Sequence, residues 1–429
     1  MKPSARIQSV IELLERIEEQ SRVPMDTISG DYFRNRRYIG SKDRAITAQR
    51  VYDIMRARAR LGWWLDHAQH PDSPRARAIA FLLLSEACDE KRLDKDLFDG
   101  SQYAPAELDD AEKKLVSMLA GQSLNHADMP ASIRVECPAD YETALKQYFG
   151  KDFETEMAAM IPSAPLDLRV NMWLSDRAKV KAALAKDDVE TAETPLSPTG
   201  LRAQNKIYLS KTKAFNKGLV EIQDEGSQMI AHVCDVQPGM QVLDYCAGAG
   251  GKTLALAAAM QRKGRIVAMD NDEKRLARGR ERFKKAQVSD IIEPRPLSDE
   301  RHRKWLRRQK ETFDVVLIDV PCSGTGTWRR NPDMRWKLYG PKLPELQQVQ
   351  SEILEKVAGA VKPGGRLVYA TCSLLPGENE EQVAKFLENH PEFSVKPVDA
   401  KLGNPYMRLT PHRHNTDGFF AAVLEKKAS

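Results

Sequence analysis

The sequence predicts an α/β protein whose residues 229–429 form an open, mostly parallel sheet. A small α/β segment (141–228) and a helical domain (1–140) precede it. Three observations carry this. After Gln228, apolar runs closing in an acid alternate with helical patterns: Gln241–Asp244, Arg265–Asp270 and Phe313–Asp319. A glycine-rich turn, Gly248-Ala-Gly-Gly251, joins the first run to a helical stretch, Leu254–Met260. The front of the chain has no strand-like alternation. Alternating strands and helices with short turns give a parallel sheet whose ligands bind beyond the carboxyl ends of its strands.

Within 1–140, Ala45 to Leu61 has few breakers and reads as one helix, and Ala76 to Cys88 carries an apolar run. Trp63 and Trp64 are expected to pack in a core. Further on, Pro165–Asn171 and Gly218–Gln223 read as short strands, Ser175–Lys186 as a helix, and Pro195 and Pro198 as a loop. In the last part, Phe313–Asp319 is almost continuously apolar, as expected of a strand covered on both faces. Pro363-Gly-Gly365 turns into a further strand, Arg366–Thr371, and a charged helix ends near Lys285.

The 429 residues suffice for two or three domains. No stretch has the roughly 18 consecutive apolar residues of a membrane span, and no signal peptide is recognisable, so a soluble, cytoplasmic protein is expected. Six cysteines without a CxxC pair argue against a disulfide framework and a zinc finger, and no metal is expected. The net charge of +5 is mild, but its distribution is uneven. Between Asp31 and Arg60 nine Lys/Arg face three acids, and a second basic cluster runs from Arg301 to Lys310. Each alone reads equally as a solvated helix face; the pair points towards a polyanion.

The turn Asp244-Tyr-Cys-Ala-Gly-Ala-Gly-Gly-Lys-Thr253 places glycines and a helix N-terminus where a nucleotide-type ligand approaches the backbone. It is not a P-loop, because position 246 is Cys, and not a dinucleotide fingerprint, because position 253 is Thr. Asp270, closing the second strand, suits a ribose. Asp299, 20 residues before Asp319, is expected at a third strand end near an adenine; as a plain alternative, these acids cap turns.

Two further segments, Asp319-Val-Pro-Cys-Ser-Gly-Thr-Gly326 and Tyr369-Ala-Thr-Cys-Ser373, each set a cysteine directly after an apolar strand. With Leu168–Asn171, Gln223–Gln228, Arg329–Asp333, Lys362–Gly365, Pro376–Glu380 and Asp417–Phe420, they resemble the RsmB/Sun family of RNA 5-methylcytosine methyltransferases. The likeness runs from about Pro165 to about Lys427. It implies a Rossmann-like class I methyltransferase domain using S-adenosylmethionine, with Cys372 as nucleophile and Cys322 assisting product release. It also implies a cofactor site of Cys246, Ala247, Gly248, Ala249, Gly250, Gly251, Lys252, Asp270, Asp299 and Asp319. Where the family usually has Cys-Ala-Ala-Pro-Gly-Gly-Lys, this chain has Cys-Ala-Gly-Ala-Gly-Gly-Lys. Gly40–Arg44 and the arginines after it resemble the NusB-like RNA-binding domain of RsmB-type members. Residues 165–228 resemble an RNA-contacting subdomain in which Arg169 and Asn171 are functional. The expected partner is RNA, rRNA before tRNA, with the protein a monomer. A non-catalytic RNA-binding assembly factor and a dehydrogenase on the same sheet are the competing readings.

Overall fold

A computed structural model describes residues 1–205 and 207–428. The chain divides into two compact units, Met1–Ser163 with Trp328–Pro341, and Ala164–Thr327 with Lys342–Ser429.

The first unit is helical. Its main helices are Pro3–Glu19, Met25–Asn35, Ser41–Arg56, Arg58–His67, Pro74–Leu84 and Asp110–Leu119, around one apolar core, followed by Ala139–Phe149. Local signals fix their ends. Ser73 accepts from the Ala76 N–H ahead of Pro74, and Asp109 with Glu112 forms a capping box. Trp64 is buried and Trp63 packs against the same core. The expected helix from Ala45 to Leu61 is instead two helices, broken at Ala57. The buried Glu136 carboxylate supplies the reason: it accepts the main-chain N–H groups of Ala59 and Arg60, at 2.8 and 3.2 Å, and so caps the second helix. The helical unit also runs on to Ser163, beyond residue 140, because Leu145, Phe149, Phe153 and Met157 bury apolar side chains on its last helices. Trp328–Pro341, from the Arg329–Asp333 block and beyond, belongs to this unit. Asp333 accepts from the Met25 N–H at 2.9 Å, and Trp336 donates to the Met55 carbonyl at 3.1 Å.

The second unit holds two sheets. The smaller has the strands β1 (Asp167–Val170), β2 (Thr191–Glu193), β3 (Gly200–Ala203) and β4 (Val220–Ile222), in the order β2-β3-β1-β4, all antiparallel. It has its own apolar cluster, including Leu168, Val180, Leu184 and Leu201. Pro195 and Pro198 lie in the turn between β2 and β3.

The larger sheet has the strands β5 (Gln241–Asp244), β6 (Arg265–Asp270), β7 (Ile292–Pro296), β8 (Phe313–Asp319), β9 (Val361–Thr371), β10 (Phe393–Val395), β11 (Met407–Leu409) and β12 (Phe419–Lys426). Its order is β10-β12-β9-β8-β5-β6-β7, with β11 on β12. The links β7-β6-β5-β8-β9 are parallel, and β12 joins β9 antiparallel. Apolar clusters cover both faces, which is why β8 is buried along most of its length. From β5 the chain builds β6 and β7 on one side, then returns to place β8 and β9 on the other. The crevice beyond β5 and β8 is therefore the topological switch point where ligands of such sheets bind. Among the described residues no helix is long and apolar enough to cross a membrane, and no His/Cys/Asp/Glu group is arranged to hold a metal.

Candidate active site

The glycine-rich turn leaves β5 at Asp244 and enters the helix Gly251–Ala259. Gly248 and Gly250 have φ of +56° and +77°, the left-handed region where a side chain is strained. At Gly250 a Cβ would also lie 2.4 Å from the Phe283 ring. The helix has no side-chain cap, which leaves its first N–H groups available to a ligand.

Four side chains fasten this turn. Asp270, at the end of β6, accepts from the Gly248 N–H at 2.7 Å and from the Asp272 N–H at 2.8 Å. Arg282 donates to the Ala249 carbonyl at 2.6 Å while pairing with Glu221 at 2.9 Å. Arg169, on β1, donates to the Gly251 carbonyl at 2.7 Å and to Gln223. Thr253 donates to Oδ2 of Asp244 at 2.7 Å. Oδ1 of Asp244 is buried without a hydrogen-bond partner, and burial pushes the carboxyl up to about 7. An uncapped helix start, two left-handed glycines and an orphaned carboxylate oxygen fit a ligand carrying both an anionic and a cationic group.

The adjacent strand ends supply the reactive groups. Lys252 pairs with Asp319, at the end of β8, at 2.5 Å. Cys322 and Cys372 follow β8 and β9, and their Sγ atoms lie 3.4 Å apart, both partly exposed. The contact with Cys372, burial and the charge of Glu378 push the Cys322 thiol well above its usual range. Burial and the charges of Asp319, Asp270 and Asp244 likewise hold Cys246 as a thiol. The Cys322 turn is braced where Gly326 donates to the Cys372 carbonyl at 2.9 Å and Gly418 donates to the Gly326 carbonyl at 2.7 Å. A Cβ on Gly326 would lie 2.2 Å from the Gly418 carbonyl oxygen. The Pro-Cys-Ser-Gly-Thr-Gly and Asp-Gly-Phe-Phe blocks thus meet backbone to backbone.

The structure places three further groups that the sequence singled out. Asp299 lies past β7 as the N-cap of the helix Glu300–Arg307. Its carboxylate takes the Arg301 N–H at 2.8 Å and the Arg301 guanidinium at 2.7 Å, contacts that hold it well below the usual range. It stands just beyond the carboxyl end of β7, the strand that neighbours β6. Arg169 and Asn171 are buried rather than presented to RNA: Asn171 donates to the Gly218 and Ala286 carbonyls, at 3.2 Å each. Finally, much of the basic stretch before Arg60 is engaged inside its own unit, with Arg36 on Glu12, Arg50 on Glu86 and Arg60 on Glu136.

The fold is Rossmann-like, the fold of S-adenosylmethionine-dependent methyltransferases. A family model described as 16S rRNA methyltransferase RsmB/F matches residues 231–425. Ribosomal RNA small subunit methyltransferase B of Yersinia pseudotuberculosis (serotype O:1b, strain IP 31758) is 35% identical over 284 residues, 66% of this chain. The matched stretch spans 65% of that relative's length, and the same figures hold for the Yersinia pestis protein. The crystal structure of PH0851 matches with a TM-score of 0.80 and 29% identity, over 99% of this chain and 100% of that one. NSun6 from Pyrococcus horikoshii, solved with SFG, shares the fold with a TM-score of 0.60 and 20% identity, over 68% of this chain and 99% of its own.

Proposed function

We propose that the chain is an S-adenosylmethionine-dependent RNA (cytosine-5) methyltransferase acting on small-subunit ribosomal RNA, with Cys372 as nucleophile. The observation that carries this is the pair of thiols 3.4 Å apart at neighbouring strand ends, beside the Lys252–Asp319 pair and the glycine-rich turn. The family match and the ribosomal RNA methyltransferases among the relatives support the substrate class.

The cofactor site would comprise the turn 246–252 with Asp270 and Asp319; the helix start at Gly251 suits a carboxylate and Asp244 a cation. When bound there, S-adenosylmethionine supplies an electrophilic methyl group on a sulfonium. Carbon 5 of cytosine is a weak nucleophile. Addition of the Cys372 thiolate at carbon 6 makes carbon 5 enamine-like and able to take that methyl. Loss of the carbon 5 proton, to a water that Cys322 positions, then expels Cys372. The target base must leave its stack to reach the crevice. The helical unit is proposed to hold RNA in the manner of a NusB-like domain.

The test is adduct trapping. Cys322→Ala should accumulate a covalent protein–RNA complex on unmodified small-subunit rRNA, and Cys322→Ala/Cys372→Ala should form none. A complex in the double variant would remove Cys372 from the mechanism. A complex formed on tRNA alone would shift the substrate.

A further inference from the structure

Glu378 lies in the Pro376–Glu380 block, has no exposed surface, and meets both thiol turns. Its Oε1 accepts the Ser323 N–H at 2.8 Å and the Gln350 side-chain amide at 3.0 Å. Its Oε2 accepts the hydroxyls of Ser323 and Ser373, each at 2.5 Å. Ser323 directly follows Cys322, and Ser373 directly follows Cys372. Gln350 also donates to the carbonyl of Pro321, the residue before Cys322, at 3.0 Å. One carboxylate therefore grips the residue after each cysteine and, through Gln350, the residue before the first.

We infer that Glu378 is a positioning residue which sets the separation of the two cysteine sulfurs by clasping the serine that follows each of them. The inference rests on the roles proposed above for Cys372 and Cys322. All four donors are uncharged, so the carboxylate is buried at a cost in desolvation that no cation among these contacts offsets. A core serving stability alone is better filled by an apolar side chain. Hydrogen bonds to a charged acceptor are short and directional, which suits fixing two loops to a few tenths of an ångström. Two neighbours reinforce the geometry. Thr371 donates to Asn379 at 2.6 Å, and Asn379 donates to the Ser373 carbonyl at 2.9 Å. The Tyr369 hydroxyl bonds the main-chain carbonyl of Glu378 at 2.5 Å, apart from the carboxylate clasp.

The experiment compares the full-length wild type, Glu378→Gln and Tyr369→Phe, well below their unfolding temperatures. Dibromobimane is used to bridge Cys322 and Cys372, the product is read by fluorescence and intact mass, and methyl transfer is measured in parallel. Glu378→Gln keeps the shape but replaces one accepting oxygen with a donor. The bridging rate should fall about tenfold, the low end for losing a hydrogen bond to a charged group. The kcat should fall by a similar factor with the KM for S-adenosylmethionine unchanged. Tyr369→Phe removes a buried hydrogen bond at the same residue but leaves the clasp, so it should lower the Tm and bridge at the wild-type rate. Should Glu378→Gln fail to fold, Ser373→Ala removes a single donor and should slow bridging about threefold, the scale of a weak hydrogen bond. Wild-type bridging in whichever of these two variants folds would overturn the inference. Absence of methyl transfer in the wild type would sink the functional reading instead, while the bridging comparison still decides the role of Glu378.

Discussion

Asp244 makes stability depend on pH in a way that one substitution should erase. Its carboxyl closes β5 with no exposed surface. Burial raises its pKa from 3.8 to about 7, against the Thr253 hydrogen bond that lowers it, and the charges of Asp319 and Asp270 add to the rise. The folded state therefore binds this proton more tightly than the unfolded chain does. Between about pH 4 and about pH 7 the native protein holds the proton and the unfolded chain releases it, so stability falls as pH rises across that window and levels off above it. A rise of about three units at roughly 1.4 kcal/mol each gives a loss on the order of 4 kcal/mol at pH 8 relative to acid. For a unit of this size that is on the order of 10 °C in Tm. Asp244→Asn keeps the shape, still accepts from Thr253 and cannot ionise. Calorimetry of both proteins from pH 5 to pH 8, without cofactor, spans about two of the three units and should show wild-type Tm falling about 5–10 °C further than that of the variant. Comparing the two slopes cancels every other titrating group. Parallel slopes would refute the assignment of a high pKa to Asp244.

Three further outcomes follow from the site. Arg169→Ala leaves the Gly251 carbonyl without its donor at about 1–3 kcal/mol, so titration calorimetry should show S-adenosylmethionine binding weakened about tenfold or more. An unchanged affinity would mean that the turn holds itself. Gly250→Ala forces a side chain into the left-handed region, at roughly 1–2 kcal/mol, and against Phe283, so denaturant unfolding should show a lower midpoint. Gly326→Ala has no room against the Gly418 carbonyl, so alkylation of Cys322 and Cys372 should change in rate even where the Tm moves little.

The parallel sheet was legible because its signals are local. β5, β6 and β8 are apolar runs that end in acids, and a glycine-rich turn follows the first. Asp270, Asp319 and the two cysteines stand at or just past strand ends, and Lys252 opens the helix after the glycine-rich turn. What escaped depends on partners distant in the chain. In β1, Asp167 and Arg169 alternate with apolar residues as if solvent-facing, yet both are buried. Asp167 pairs with Arg202 at 2.6 Å, and Arg169 reaches the turn 82 positions away. The break at Ala57 is set by Glu136, which no helix-propensity reading connects to it. Arg282 sits in a helix of mixed charge with nothing to single it out, and Glu378 was visible only as part of a block. Asp299 stands three residues past the end of β7 and N-caps the next helix, the capping alternative that the sequence left open.

The most direct test incubates the wild type and Cys372→Ala with methyl-labelled S-adenosylmethionine and unmodified small-subunit rRNA, then maps the label to a nucleotide. The account predicts label on carbon 5 of a cytosine, lost in Cys372→Ala by a factor of about 10³ or more, the scale of removing a catalytic nucleophile. Label that persists in Cys372→Ala, or that sits on another atom or another base, would contradict it.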